Sequence, residues 1–507
     1  MLTLSDLDRS WRKYFLIFGI FAAEFIALNI FKLPDSLNFD GFAFCDSGAN
    51  LTLQYLIANG YRPTIDFGYH YGLLPIAVGQ LWFGFFGRTP LAYQALMVVC
   101  GLLIVTALAR IAASLRFGGF GLALMIIALG IAVQTIYPSE AQAIEAVLLS
   151  TALAEQAAGR RASALGLACA AVFAKPSMGF VYGLLVLALA AREILQTGSG
   201  LTGLVRFALP AALTGAILAV TLAALYGPVV VIRTVLPFEG AAAYNALHYG
   251  FFSAGREFWD PQRMPRLYYL VHLAGFWITS SIFLIGCGIA AVIHFRRTSS
   301  KSDLVAHRRS EIILTCAVVQ IVFVLVMFGN QWSWVYYSYF LIVGIAAAAD
   351  SGPWRRRISL VLCTLAILSW TDEIYWVHRW WQVRQPDAIT AHLWSTAEER
   401  AEWTKALGEA RGRKTVILDT KGAAELMFPQ LEKPVSLFLD PGLMNTAEIQ
   451  RKVDQLSSAD LVVVPVGMPT CGGIPEAPEF ESAMKQFQMV FAGKFFEVYG
   501  RGDASVM

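Results

Sequence analysis

A few polar residues interrupt long apolar runs, and their types suit chemistry at a boundary between lipid and water. Asp46 is the second residue of the stretch CDSGANLTLQYLIANGYRPTIDFGYHYGLLP, residues 45–75. A carboxylate beside a low-dielectric region accepts a proton readily and can serve as a general base. The same Asp-Ser-Gly before a helical-looking segment also reads as a helix N-cap. Asp66, His70 and Tyr71 follow in RPTIDFGYHYG. Asp66 and His70 could share a divalent cation or orient a sugar hydroxyl, and the aromatics could equally anchor an interfacial loop. Glu140, in YPSEAQAIEAV, would pair with Asp46 across one face, or complement a helix dipole. The sequence requires no metal; if a divalent cation, Mg²⁺ or Mn²⁺, is used, Asp46 and Glu140 are its candidate ligands.

Lys175 is the sharpest single charge. It ends the apolar run LGLACAAVFA and precedes Pro-Ser. A cation at that depth needs an anion or water, and a lipid phosphate at headgroup level is the obvious anion, with simple snorkelling as the plain alternative. The stretch EGAAAYNALHYGFFSAGREFWDPQRMPRLYYL adds His248, Arg256, Arg263 and Arg266. Cations in an external loop run against the usual charge bias of membrane proteins and suit a bound phosphate or carboxylate.

Long apolar segments must hold these residues. The 507 residues are 57% hydrophobic and 15% charged, where a soluble protein carries roughly 25% charged residues. This composition indicates a polytopic membrane protein, and the net charge of +3 gives no reason to expect nucleic acid as a partner. The seven cysteines include no CxxC pair and lie mostly in apolar segments, so neither a disulfide framework nor a zinc site is indicated. No P-loop, HExxH or haem motif is present, and no internal repeat of the kind transporters use stands out.

Apolar segments of about 20 residues are long enough to cross a bilayer. Candidates fall near residues 14–31, 71–87, 91–109, 117–137, 140–158, 162–175, 176–193, 204–226, 268–294, 311–329, 336–350 and 359–378. The basic loops 295–310 and 353–357 and the N-terminal Arg9, Arg12 and Lys13 read as cytoplasmic. Counting back from 295–310 places 227–267, the Lys175 junction and the turn after Tyr137 outside. It leaves 71–87 unable to be a full crossing, so that segment is expected as a surface helix within a first external loop spanning 32–90. About eleven crossings remain, with the N-terminus inside and the C-terminus outside. From residue 379 the composition turns ordinary. TVILD, VSLFLD, ADLVVVPVG and KFFEVYG read as strands. TAEERAEWTKALGEA, TAEIQRKVDQL and EFESAMKQFQMVF read as helices, giving a small extracytoplasmic α/β domain over 379–507 after a membrane domain over 1–378.

The order of these features resembles the GT-C class of integral-membrane glycosyltransferases, in particular the branch with the protein O-mannosyltransferases and the lipid A aminoarabinose transferase. The resemblance lies in CDSGANLTLQYLIANGYRPTIDFGYHYGLLPIAVGQLWFGFFG, YPSEAQAIEAVLL, ALGLACAAVFAKPSMGFVYGLLVLAL and MPRLYYLVHLAGF. It implies that Asp46 is the general base, that the segment 71–87 is a juxtamembrane helix, and that Lys175 contacts the lipid phosphate. It gives Glu140 a weaker share in the site. Asp46 is followed by Ser where the family often has Glu, a departure that bears on metal binding.

The expectation is a multi-pass inner-membrane enzyme that transfers a sugar, with inversion, from a polyprenyl-phosphate donor to an external glycan, lipid or protein. Asp46 would act as base; Lys175, with Arg256 or Arg263, would hold the phosphate; Asp66, His70 and Tyr71 would shape the sugar or acceptor site. Glu140 and His248 complete the expected substrate-binding set. A ligase or polymerase acting on lipid-linked glycans, a flippase of lipid-linked saccharides and a non-catalytic membrane scaffold are the competing classes.

Overall fold

The computed structural model describes residues 4–32, 42–133, 139–196, 200–236, 278–297, 304–327, 337–362, 412–418, 444–465, 477–494 and 496–502, with isolated positions between them. Helices dominate the first part: α1 (Leu4–Lys32), α2 (Phe42–Ala58), α3 (Leu74–Phe86), α4 (Pro90–Ser114), α5 (Gly119–Val133), α6 (Glu140–Ala157), α7 (Arg161–Val172), α8 (Pro176–Gln196), α9 (Gly200–Tyr226), α10 (Pro228–Val235), α11 (Thr279–Arg297), α12 (Leu304–Met327) and α13 (Ser338–Ala349). A further helical stretch covers 353–362. Their positions follow the apolar runs closely, because a spanning or buried segment must satisfy its backbone internally and a helix does so within one segment.

The protein is a predominantly helical membrane protein. Among the described residues, four helices are long and apolar enough to cross a bilayer: α4, α8, α9 and α12. α9 has most of its surface turned outward, with Leu201, Val205, Leu213, Ile217 and Val220 exposed, as suits a helix facing acyl chains. α3 has 13 residues, which at 1.5 Å per residue span about 20 Å, short of a hydrocarbon core of about 30 Å. Leu81, Phe85 and Phe86 are exposed along it. The expected segments 268–294 and 359–378 lie only partly within the described residues.

Packing depends on small side chains, because lipid offers apolar groups no incentive to leave it and helices must gain from close contact. α13 is buried along its whole length and α6 along most of it. Ala143, Ala146, Ala152, Ala154 and Ala346 to Ala348 let the neighbours approach. Gly344 is the tightest example. A Cβ there would lie 2.6 Å from Leu284 Cδ1 and 2.9 Å from Cys316 Cβ.

Polar contacts gather at the two ends of this bundle. At one end Arg110 and Arg160 both pair with Glu155. Arg161 bridges Glu311 at 2.6 Å and also pairs with Glu193, and Gln156 donates to Glu311 Oε1 and Thr315 Oγ1, both at 2.9 Å. At the other end the chain between α2 and α3 meets the turn between α7 and α8.

The C-terminal part carries a four-stranded sheet in the order β1-β2-β4-β3, built from β1 (Thr415–Ile417), β2 (Leu461–Pro465), β3 (Phe487–Ala492) and β4 (Phe496–Arg501). β1 and β2 are parallel, and β4 is antiparallel to β2 and to β3. α14 (Thr446–Ser457) and α15 (Pro478–Met484) pack on it. The expected helix EFESAMKQFQMVF is corrected: it breaks after Met484 and its second half is β3. Pairing with β4 gives Phe487, Met489 and Phe491 a ladder that an isolated helix turn lacks. The expected strand at 435–440 and the helix at 396–410 lie largely outside the described residues.

Candidate functional site

The segment 61–73 is neither helix nor ladder, yet it is fixed from three sides. Phe67, Tyr69 and Leu73 are buried against Leu53 and Leu56 of α2, Ile76 of α3, Phe173, Leu222 of α9 and Val230 and Val231 of α10. Gly72 N–H donates to Ala174 O and Leu74 N–H donates to Phe173 O, both at 2.9 Å. Tyr69 OH donates to Gly72 O at 3.0 Å. Gly72 is demanded by this approach, since a Cβ would sit 2.0 Å from Phe173 O.

This docking brings Tyr71 to Lys175. The Lys175 side chain is 8% exposed, and its Nζ lies 5.8 Å from the Tyr71 ring centroid and 5.6 Å from that of Tyr337. Both rings present π-faces that stabilise a cation. Tyr337 OH donates to Glu145 Oε2 at 2.8 Å, and Glu145 is within electrostatic reach of Lys175. Lys175 also immediately precedes Pro176, the first residue of α8. Proline suits that first position, and the N–H groups just after it are natural anion donors.

Glu140 begins α6 and is fully buried. Its Oε2 accepts from Gln54 Nε2 of α2 at 2.8 Å. Gln54 O accepts in turn from Gln80 Nε2 at 2.9 Å and Arg88 Nε at 3.3 Å. Gly79 of α3 lies so close that a Cβ would be 2.7 Å from Glu140 Oε2. The second oxygen of Glu140, Oε1, is buried and has no hydrogen-bond partner among the described residues; the same holds for Glu145 Oε1 and Gln142 Oε1. Burial first, and the Glu140 carboxylate second, push the Tyr69 phenol well above its ordinary range.

Asp46 falls on the fifth residue of α2. The helix starts earlier than the Asp-Ser-Gly signal implied, because the apolar Phe42-Ala43-Phe44 continues the helical run; Asp46 therefore lies within the helix and does not cap it. Only the backbone is described there. Asp66 is engaged by Arg62, with Oδ2 accepting from the Arg62 N–H at 2.7 Å and from Nε at 3.0 Å. The Arg62 hydrogen bond holds its carboxyl below the usual range. His70 is half-buried between Tyr69 and Tyr71. His248, Arg256 and Arg263 lie outside the described residues.

For a divalent cation, Glu140 offers one oxygen not already engaged by Gln54. Among the described residues no three His, Cys, Asp or Glu converge.

The C-terminal domain reaches the same segment. Glu448 Oε2 accepts from Gly68 N–H at 2.6 Å. Asn445 Nδ2 donates to Ile65 O at 3.4 Å. Arg451 donates to Asp66 O and lies over the Tyr61 ring at 5.5 Å. Asn445 and Glu448 also form a capping box at the start of α14, so one carboxylate fixes both the helix end and the loop. Sequence reasoning missed Gln54, Glu145, Tyr337, Glu448 and Arg451. Only Glu145 carried a direct signal, a carboxylate inside an apolar segment.

No family model matches the chain, and no curated protein or solved structure matches it.

Proposed function

We propose that the protein is an integral-membrane glycosyltransferase that moves a sugar from a polyprenyl-phosphate donor to an acceptor on the face where the 61–73 segment lies. The observation that carries this reading is the Lys175 site. A lysine is held almost fully buried between two tyrosine rings, at the first turn of a long apolar helix, with a glycine-fitted loop hydrogen-bonded beside it. An ammonium at that depth is expensive, and beside the Glu145 carboxylate and the two rings it is placed to take the phosphate of a membrane-borne donor, which arrives at that level.

In this reading Lys175 and the α8 N-terminus hold the donor phosphate and stabilise the charge it gains as it leaves. Asp46 takes the proton of the acceptor hydroxyl or amine. The acceptor atom bonds to the anomeric carbon from the side opposite the phosphate, the carbon–oxygen bond to phosphate breaks, and configuration inverts. Glu140, Gln142 and Glu145 present buried acceptor oxygens suited to sugar hydroxyls. The membrane frame has about eleven crossings in this reading, with the C-terminal domain on the donor side.

Asp46→Asn is the direct test. It removes the base and keeps the shape, so transfer in cells should fall by at least about a hundredfold, the usual contribution of a general base. Near-wild-type transfer by a folded Asp46→Asn protein would refute the assignment.

A further inference from the structure

The bundle end opposite Lys175 holds a cleft of about 740 Å³ between the α4–α5 turn, the cytoplasm-type basic start of α12 and the segment after α13. Its polar lining includes Arg116, Arg309, Arg355 and Asp350, and its apolar wall is Ala290, Ala291 and Val305. The charges are not equivalent. Asp350 Oδ2 accepts from Gly118 N–H at 2.6 Å and from Arg309 at 3.5 Å. Arg309 is spent in turn on Leu115 O at 2.9 Å and Arg116 O at 2.8 Å. Asp350 and Arg309 therefore neutralise each other and shape the turn.

Arg116 and Arg355 remain, and among the described residues neither has a carboxylate partner. Arg116 adopts a left-handed backbone, φ 52°, which a non-glycine residue takes up only against a penalty. The Arg309 bond to its carbonyl helps hold it there. The result is a cleft with two guanidinium groups that have no carboxylate partner among the described residues, with Ile289 and Ile293 exposed on α11, the helix that supplies its Ala290 and Ala291, and with Trp354, 66% exposed, in its lining. Interfacial tryptophan marks headgroup depth, and arginine forks match phosphate oxygens.

We infer that this cleft binds the phosphate headgroup of an anionic phospholipid of the leaflet opposite the Lys175 site, with Arg116 and Arg355 on the phosphate and an acyl chain along α11. The apolar wall and Trp354 favour a lipid over a soluble phosphate, which would need neither. The inference stands on its own contacts and does not depend on the proposed transferase activity.

The test uses the full-length protein in neutral detergent, titrated with phosphatidylglycerol or phosphatidylcholine and read by native mass spectrometry. One phosphatidylglycerol should bind in preference to phosphatidylcholine. Arg355→Gln should weaken it about tenfold and Arg116→Gln/Arg355→Gln about a hundredfold, roughly tenfold for each charge-assisted bond lost. The charge-matched Arg356→Gln/Arg357→Gln, outside the cleft, should leave it unchanged. Equal loss in both double variants would reduce the effect to general surface charge and overturn the site; so would no loss in either. Displacement of the lipid by millimolar inorganic phosphate would assign the cleft to a soluble phosphate and overturn the lipid. Should the double variant not fold, the single Arg355→Gln against Arg357→Gln decides.

Discussion

Replacing Gly72 with alanine should lift the 68–74 segment off the Lys175 turn. The new Cβ would lie 2.0 Å from Phe173 O, whereas ordinary contact begins at 3.4 Å. Phe173 O is a backbone atom and cannot rotate away, so the two backbones must part by about 1.4 Å. Stretched that far, the 2.9 Å bonds from Gly72 N–H to Ala174 O and from Leu74 N–H to Phe173 O exceed hydrogen-bonding distance. Two lost bonds and the residual overpacking amount to about 3 kcal/mol of local stability, or roughly a hundredfold faster amide exchange. Hydrogen–deuterium exchange of the protein in nanodiscs, read on peptides covering 68–78, measures it. Gly84→Ala is the control, because nothing lies within 4 Å of its Cβ. Unchanged exchange over 68–74 in a folded Gly72→Ala protein would refute the docking.

Other consequences follow from the same contacts. Glu448→Ala should free the 61–70 segment and fray α14, a loss of about 2 kcal/mol from the Gly68 bond and the cap combined, seen as new protease cleavage between residues 61 and 72. Asp66 has a folded pKa below its ordinary 3.8. Its contribution is therefore present above about pH 4 and is lost as pH falls through the lowered folded value; Asp66→Asn should remove that acid-side component from a melting-versus-pH series. Among the described residues, Glu311→Ala leaves the largely buried Arg161 with the exposed Glu193 alone and should cost about 3 kcal/mol, read as a lower melting temperature with unchanged site chemistry.

Helix positions were legible because apolar runs announce themselves: α4, α6, α8, α9 and α13 all fall within a few residues of the segments read from sequence. The segment 71–87 was expected as a helix and forms one over Leu74–Phe86. The site was only partly legible. Lys175 stood out as a charge at the end of an apolar run. Its neighbours Tyr71 and Tyr337 are separated from it by 104 and 162 residues of chain, and no local spacing encodes that meeting. Gly72 and Gly79 carry no signal of their own in the sequence; close approach by the Phe173 backbone to one and by the Gln54 and Glu140 side chains to the other explains them. The helix TAEIQRKVDQL was legible as an amphipathic pattern, but the grip of Glu448 on Gly68 is tertiary. β3 was misread because its helix-like pattern yields to pairing with β4.

The central claim is that Lys175 holds a lipid-phosphate sugar donor. A strain lacking the protein, complemented with wild type, Lys175→Met or empty vector, can be profiled by mass spectrometry for polyprenyl-phosphate sugars and envelope glycans together. One sugar should be missing from the glycans and its polyprenyl-phosphate donor should accumulate, both corrected by wild type and by neither Lys175→Met nor vector. Full correction by a Lys175→Met protein, or a glycan and donor profile that does not change with deletion, would contradict it.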